Sequence, residues 1–216
     1  MWQGARIAVV VPARNEAPRI GRVLRGLPDW VDVVVVVDDG SSDATAEVAT
    51  EAGGSRTVVV RHTESRGVGA AIVAGYRRAL AAGADVLAVM AGDDQMDPRD
   101  LPAVVGPVAE GRADYVKGNR FLHPARRAMP LGRRVAGRLL GRLTAVTTGL
   151  SIDDSQCGYT ALGAATARAL PLGELWPRYG YPNDLLGLLA EAEARVVETP
   201  VRPVYDGAPS GIRPWH

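Results

Sequence analysis

The chain has a single cysteine, Cys157, among its 216 residues. One thiol closes no internal disulfide and has no partner for a thiolate metal site, which fits a reducing compartment and makes the cytoplasm the default location. Residues 1–7 lack the apolar core of a secretion signal, and the most apolar run, 31–37, is far too short for a bilayer that takes about 20 residues to cross. The expectation is a chain that neither spans a membrane nor is exported. Lysine is nearly absent: Lys117 is the only one, so almost every cation is an arginine, whose planar fork suits phosphate. A net charge of +1 excludes whole-surface attraction to nucleic acid. There is no internal repeat, low-complexity tract or long linker, so one compact domain is expected. The chain also lacks a G-x-x-x-x-G-K-S/T run and a G-x-G-x-x-G after its first strand, which disfavours a P-loop or nicotinamide site. His62, His123 and His216 are too scattered to read as a metal set.

What is present reads as alternating strand and helix in an ordinary globular composition, 47% apolar and 23% charged. Residues 7–11 and 31–37 are β-branched runs without polar alternation, as strands covered on both faces require. Between them Ile20, Val23, Leu24 and Leu27 recur at helical spacing over 18–27, and Pro28 stops the helix. A helix near 43–52, a strand at 57–60, a helix at 70–82 and a strand at 85–90 repeat the unit. A helix near 99–110 and a short strand at 114–117 extend it. Such alternation predicts an α/β fold, a doubly wound, mostly parallel sheet with helices on both faces. Beyond 121 the rhythm breaks: a basic stretch over 122–151 carries no strand pattern, and 158–162, a helix near 183–193 and a last strand near 195–204 follow.

Open parallel sheets bind ligands outside the carboxyl ends of their strands. The residues after the expected strands are polar there: Pro12, Ala13, Arg14, Asn15 and Glu16 after the first; Asp38, Asp39, Gly40, Ser41 and Ser42 after the second; Gly92, Asp93, Asp94 and Gln95 after the fourth. Carboxylates brought together repel unless a cation or hydrogen-bond donors offset them, and oxygen ligands favour Mg²⁺ or Mn²⁺. Such an ion keeps waters and shares its shell with substrate phosphates, which points to a nucleotide diphosphate. Each turn taken singly is also ordinary turn and cap chemistry; the combination ahead of helices carries the functional reading. Gly67 and Gly69, ahead of another helix, allow backbone amides to approach an anion at its positive end.

Six motifs occur in order: Val11-Pro12-Ala13-Arg14-Asn15-Glu16, Val37-Asp38-Asp39-Gly40-Ser41-Ser42-Asp43, Gly67-Val68-Gly69-Ala70, Met90-Ala91-Gly92-Asp93-Asp94-Gln95, Gly118-Asn119-Arg120-Phe121 and Asp154-Ser155-Gln156-Cys157-Gly158-Tyr159. Over nearly its whole length the chain resembles the family 2 glycosyltransferases of GT-A fold, in particular the dolichyl- or polyprenyl-phosphate sugar synthases. The resemblance implies a single catalytic domain, 1–216, with a nucleotide-sugar half at 1–120 and an acceptor half at 121–216. It implies that Pro12, Arg14 and Glu16 line a nucleotide pocket, that Asp39 binds the base, and that Asp93 and Gln95 hold Mg²⁺ or Mn²⁺ against the diphosphate. Arg120 would face the acceptor or leaving phosphate. The donor would be of the GDP-mannose or UDP-glucose class and the acceptor a polyprenyl phosphate. Two positions depart from the synthases: Ala91 stands where their Asp-x-Asp-x-Gln run has its first Asp, and Arg14 replaces a common Tyr. Adjacent Asp94 is a possible substitute for the missing carboxylate.

The resemblance also implies inversion. A phosphate acceptor is already anionic and needs positioning by arginines; an alcohol acceptor needs a base. Asp154 and Asp184 are the candidate bases, each with a cap or loop role as the alternative, so the candidate catalytic set is Asp93, Asp154, Asp184 and Arg120. Arg134, Arg138 and Arg142 form a helical stripe beside Leu139, Leu140, Leu143 and Val146. Such a helix either lies on an anionic bilayer, with peripheral contact at the inner face of the cell membrane, or packs its apolar side into the core. Arg133, Arg134 and Arg213 join Arg120 as candidate acceptor contacts. Arg202, Tyr205, Ser210 and Arg213 resemble a family segment that closes over the site, with 207–211 as a mobile loop. Transfer to a soluble alcohol and a non-catalytic nucleotide-sugar-binding subunit are the competing readings.

Overall fold

The computed structural model describes residues 1–204. β1 (Ile7–Ala13), β2 (Val33–Asp38), β3 (Thr57–Arg61) and β4 (Val86–Val89) run parallel, with α1 (Ala17–Gly26), α2 (Thr45–Gly53) and α3 (Val68–Ala81) as their crossovers. A short 3₁₀ turn (Pro98–Asp100), α4 (Leu101–Ala109), β5 (Tyr115–Asn119), a second 3₁₀ turn (Pro124–Ala128) and α5 (Leu131–Thr148) follow. β6 (Thr160–Gly163), α6 (Ala164–Ala169), α7 (Tyr181–Glu191) and β7 (Val196–Pro200) complete the described chain. Their strands form one sheet in the order β3-β2-β1-β4-β6-β5-β7.

The apolar runs explain the layers. β1 and β2 are buried at every position, and alternate residues divide between two cores. Ile7, Val9 and Val11 pack with Ile20, Val23, Ala49, Leu101 and Val104 of α1, α2 and α4. Ala8 and Val10 pack with Ile72, Tyr76, Leu185 and Leu189 of α3 and α7. Each buried Val, Leu or Ile contributes about 2 kcal/mol. The last strand, expected to reach 204, stops at Pro200, opposite Asn119, where its partner β5 ends. The six-residue α6 did not stand out from the sequence.

β6 is antiparallel to both β4 and β5, with Thr160 opposite Val89 and Lys117. The chain therefore enters β6 at the edge where β4 and β5 end, which brings 153–159 to the same rim as the turns that follow the parallel strands.

α5 lies outside the two cores, and its orientation decides between the readings drawn from its sequence. Its buried residues are Gly137, Gly141 and Thr144, whereas Leu131, Val135, Leu143 and Val146 are 71%, 62%, 55% and 83% exposed. The apolar side points outward, so the core-packed alternative is excluded. A Cβ at Gly141 would lie 2.0 Å from the Asp153 carbonyl oxygen; only glycine lets the helix approach that loop. Among the described residues no helix is long and apolar enough to cross a membrane.

Candidate active site

The turns after β1, β2 and β4 meet at one rim. Asp39 N donates to the Ala13 carbonyl at 2.9 Å and Gly92 N to the Pro12 carbonyl at 3.1 Å, so the second and fourth turns flank the end of β1. The first and second turns are stitched together. Asn15, in the left-handed region at φ 56°, donates its N–H to Ser41 Oγ at 2.9 Å and accepts from Ser42 N at 2.9 Å. Glu16 N donates to Thr45 Oγ1 at 2.8 Å and Ala17 N to Asp43 Oδ2 at 3.1 Å. Buried Asp38 accepts from Ser41 N at 3.0 Å and pairs with Arg61 at 3.3 Å. Arg14 is exposed beside this seam.

An anion does sit at the start of α3, and it belongs to the protein. Asp39, 4% exposed, has His62 Nδ1 and Arg66 N each 2.8 Å from Oδ1, and Ser65 Oγ and Gly67 N at 2.8 and 2.9 Å from Oδ2. Burial alone would raise its pKa, but these hydrogen bonds, led by His62, outweigh burial and hold the carboxyl below its ordinary range. A carboxylate has about four lone-pair sites, so a nucleotide base reaches it only by displacing a resident donor. Gly67 and Gly69 serve close packing instead of an external anion. A Cβ on them would lie 2.3 Å from the Pro177 oxygen and 2.2 Å from the Trp176 oxygen, and Ala70 N donates to Pro177 O at 3.1 Å. The start of α3, read as an anion site from these glycines, is occupied by the Asp39 carboxylate and segment 176–177.

Next to β4 opens a cleft of about 260 Å³ whose polar lining includes Asp93, Gln95, Arg120, Gln156 and Arg202, with Pro12 and Ala91 on its wall. Asp93 is half-buried and takes the N–H of Gln95 at 3.1 Å. Burial raises its pKa above the ordinary range, and backbone hydrogen bonds offset this only in part. Glu16 is also raised by burial, against a lowering hydrogen bond from Arg19, and the charge of Asp93 raises it further. Asp94, at φ 63°, turns to Arg22 at 3.3 Å and borders a separate groove. That orientation turns it away from the Ala91 position and toward α1. Among the described residues no three His, Cys, Asp or Glu side chains converge as a metal cage. One carboxylate whose charge is poorly compensated, with one amide beside it, fits a hard divalent ion that completes its shell with water and a ligand's phosphates.

The arginine side of the cleft is held by an ion pair. Arg120 donates Nε and Nη2 to the two oxygens of Asp154, both at 2.8 Å, and its N–H to Oδ2 at 3.0 Å. Asp154 is fully buried, so this candidate base has no open face toward the cleft. The other, Asp184, is exposed, accepts from Trp176 N at 2.6 Å and does not line the cleft; it serves the loop that covers α3. Arg133 is exposed and Arg134 half-buried at the start of α5, away from the cleft lining. Arg202 does line the cleft and anchors its N–H on Asp100 at 2.6 Å. Tyr205, Ser210, Arg213 and the loop 207–211 lie outside the described residues. His62, Ser65 and Glu198 escaped the sequence reading, because nothing in their local spacing shows that they hold the rim in place.

An acidic turn at the switch point of a doubly wound sheet, facing Arg120 and Arg202 across the cleft, marks a site for a ligand that brings phosphates, the class of site used by enzymes of nucleotide-activated groups. The profile described as Glycosyl transferase family 2 matches residues 8–131, and the chain belongs to that family. It is 34% identical over 205 residues to the undecaprenyl-phosphate mannosyltransferase of Micrococcus luteus, covering 91% of this chain and 82% of that protein. It is 26% identical over 215 residues to the UDP-N-acetylglucosamine–dolichyl-phosphate N-acetylglucosaminyltransferase of Methanococcus voltae, covering 92% and 86%. A crystal structure of Mycobacterium tuberculosis glucosyl-3-phosphoglycerate synthase superposes with a TM-score of 0.68 at 25% identity, over 95% of this chain and 74% of that one. Another structure of that enzyme, at 24% identity, a TM-score of 0.66 and the same coverage, contains Mn²⁺ and uridine diphosphate. The protein is a nucleotide-sugar-using glycosyltransferase of GT-A fold.

Proposed function

We propose that this chain transfers a hexose, mannose or glucose, with inversion, from a donor of the GDP-mannose or UDP-glucose class to a polyprenyl phosphate. One observation carries the acceptor half of the reading: both candidate bases are engaged elsewhere. Asp154 is spent on Arg120 and Asp184 on Trp176 N, and Asp93 is the one carboxylate among the described residues lining the cleft. An alcohol must shed a proton as it attacks. A phosphate oxygen is already anionic near neutral pH and needs only orientation and charge balance, which Arg120 and Arg202 supply.

In this reading 1–120 handle the donor and 121–216 the acceptor. Pro12 lies against the donor, Glu16 borders Asp93, and Asp39 holds the 62–67 loop in place with Gly67 at its end. Asp93 and Gln95 would hold Mg²⁺ or Mn²⁺, which when bound offsets the charge of the departing diphosphate. Residues 115–152 contain no Asp or Glu but seven arginines and Lys117, and α5 exposes its leucines among those arginines. That combination suits peripheral contact with an anionic membrane surface, where Arg133 and Arg134 would meet lipid headgroups and a polyprenyl phosphate would be presented. A second copy on the same face would set arginine against arginine. The lipid-phosphate relatives support this reading over a soluble alcohol acceptor.

The test is transfer from a panel of nucleotide sugars with Mn²⁺, offering either polyprenyl phosphate in anionic vesicles or small alcohols. Product is expected with polyprenyl phosphate, and Arg120→Ala should lower kcat/KM by on the order of 100-fold. Transfer to a small alcohol that ignores both vesicles and Arg120→Ala would sink the lipid reading.

A further inference from the structure

Arg120 belongs to a charged layer that starts on the far strand. In β5, Lys117 and Asn119 are fully buried, and Lys117 stands in register with Glu198 of β7. Glu198 Oε1 accepts from Asp154 N at 2.9 Å, while Oε2 accepts from Asp153 N at 3.1 Å and from Asn119 Nδ2 at 2.7 Å. Asn119 turns its own Oδ1 to the N–H groups of Phe121 and Leu122, at 2.8 and 3.2 Å. Lys117 Nζ donates to the Cys157 carbonyl at 2.7 Å. The loop that carries Asp154 is thus fixed by Glu198 at its start and by Lys117 at its end, and Asp154 grips Arg120 by both oxygens.

Half-buried Glu198 holds two backbone N–H groups with a charge that must be kept against burial, which is the largest influence on it and raises its pKa. The gain is rigidity in a place where the guanidinium has a direction to keep. The fork-to-fork pair leaves Arg120 little rotational freedom, and Glu198 of β7 holds the backbone under Asp154.

We propose that Glu198 is a positioning residue for Arg120: through the backbone of 153–154 and the Asp154 carboxylate, it sets where the guanidinium stands in the cleft for the acceptor's anionic group. The proposal rests on the reading that Arg120 meets that group. Glu198 touches no cleft surface itself, and its effect is confined to the acceptor side, since the donor-side residues Pro12, Asp93 and Gln95 are held by β1 and β4.

A double-mutant cycle tests it, using Glu198→Gln, Arg120→Ala and the pair, with short-chain polyprenyl phosphate as acceptor and calorimetry of uridine diphosphate or guanosine diphosphate with Mn²⁺ as the donor-side control. Glu198→Gln should raise the acceptor KM about tenfold, as displacement of a supporting group commonly does. Diphosphate affinity should stay near that of the wild type. Added to Arg120→Ala, it should cause no further loss, because the group it positions is already gone. An additive loss, or an equal loss of diphosphate affinity, would overturn the proposal. If Arg120→Ala itself leaves the acceptor KM unchanged, the underlying reading fails instead. Should Glu198→Gln unfold, the same cycle is run with Glu198→Asp, which keeps the charge but withdraws it by one methylene; a wild-type KM or an additive loss there overturns the proposal equally.

Discussion

The turns after β2 and β4 stand on either side of β1, and each presents an Asp-Asp pair, yet they use the same side chain in opposite ways. After β2, Asp38 and Asp39 are buried and bonded, and Asp39 is surrounded by four donors that hold its pKa down. After β4, Asp93 has the Gln95 N–H, lines the cleft, and is raised by burial. A satisfied carboxylate braces the fold; one left short of donors keeps its affinity for something that is not part of the chain. Perturbation of a pKa marks a site only when the missing partner is external.

The sharpest way to break this contrast is to remove each carboxylate in turn. Asp93→Ala should lower transfer by roughly a thousandfold, about 4 kcal/mol of transition-state stabilisation, without a fall in the urea midpoint. An active variant, or one that unfolds, would mean the two turns are alike. Asp39→Ala should do the reverse to stability, costing about 3 to 5 kcal/mol because buried donors lose their acceptor; urea denaturation measures it, and a loss under about 1 kcal/mol would show that water replaces the carboxylate.

Acid titration separates the turns by sign. The lowered Asp39 contributes stability that is complete above its ordinary value of 3.8 and is lost as pH falls through its depressed folded value. The raised Asp93 contributes stability that is complete below 3.8 and is lost as pH rises through its folded value. Unfolding free energies should therefore show Asp93→Asn more stable than the wild type at neutral pH, with the gap closing toward 3.8. The deficit of Asp39→Asn should persist there and close only in stronger acid. Gaps that close over the same range would remove the distinction. The smallest effect is expected at Asp94→Ala: its ion pair with exposed Arg22 is worth under about 1 kcal/mol, and activity should hold within a few-fold. A collapse of activity would return Asp94 to the ion's shell.

The strand-helix rhythm through 120 was legible because a strand covered on both faces must be an apolar run wherever it lies, and the acidic turns follow from where such strands end. The direction of β6 was not legible. Four residues carry no sign of which neighbours they pair with, so the reason Asp154–Tyr159 reach the rim, by preceding a strand instead of following one, was hidden. The outward face of α5 was equally hidden, since a helix with apolar and basic stripes has the same periodicity whichever stripe faces the protein.

Residue identity and spacing alone settled the parallel strand-helix units, the acidic turns at their ends and the family pattern, because burial and turn chemistry act over a few neighbouring positions. Only the folded chain decided which carboxylate is satisfied and which is left wanting. Asp39 finds His62 and Ser65 23 and 26 residues away, and Asp154 finds Glu198 at 44. Hydrogen bonds of that reach depend on where strands and loops meet in space, and no local spacing announces them.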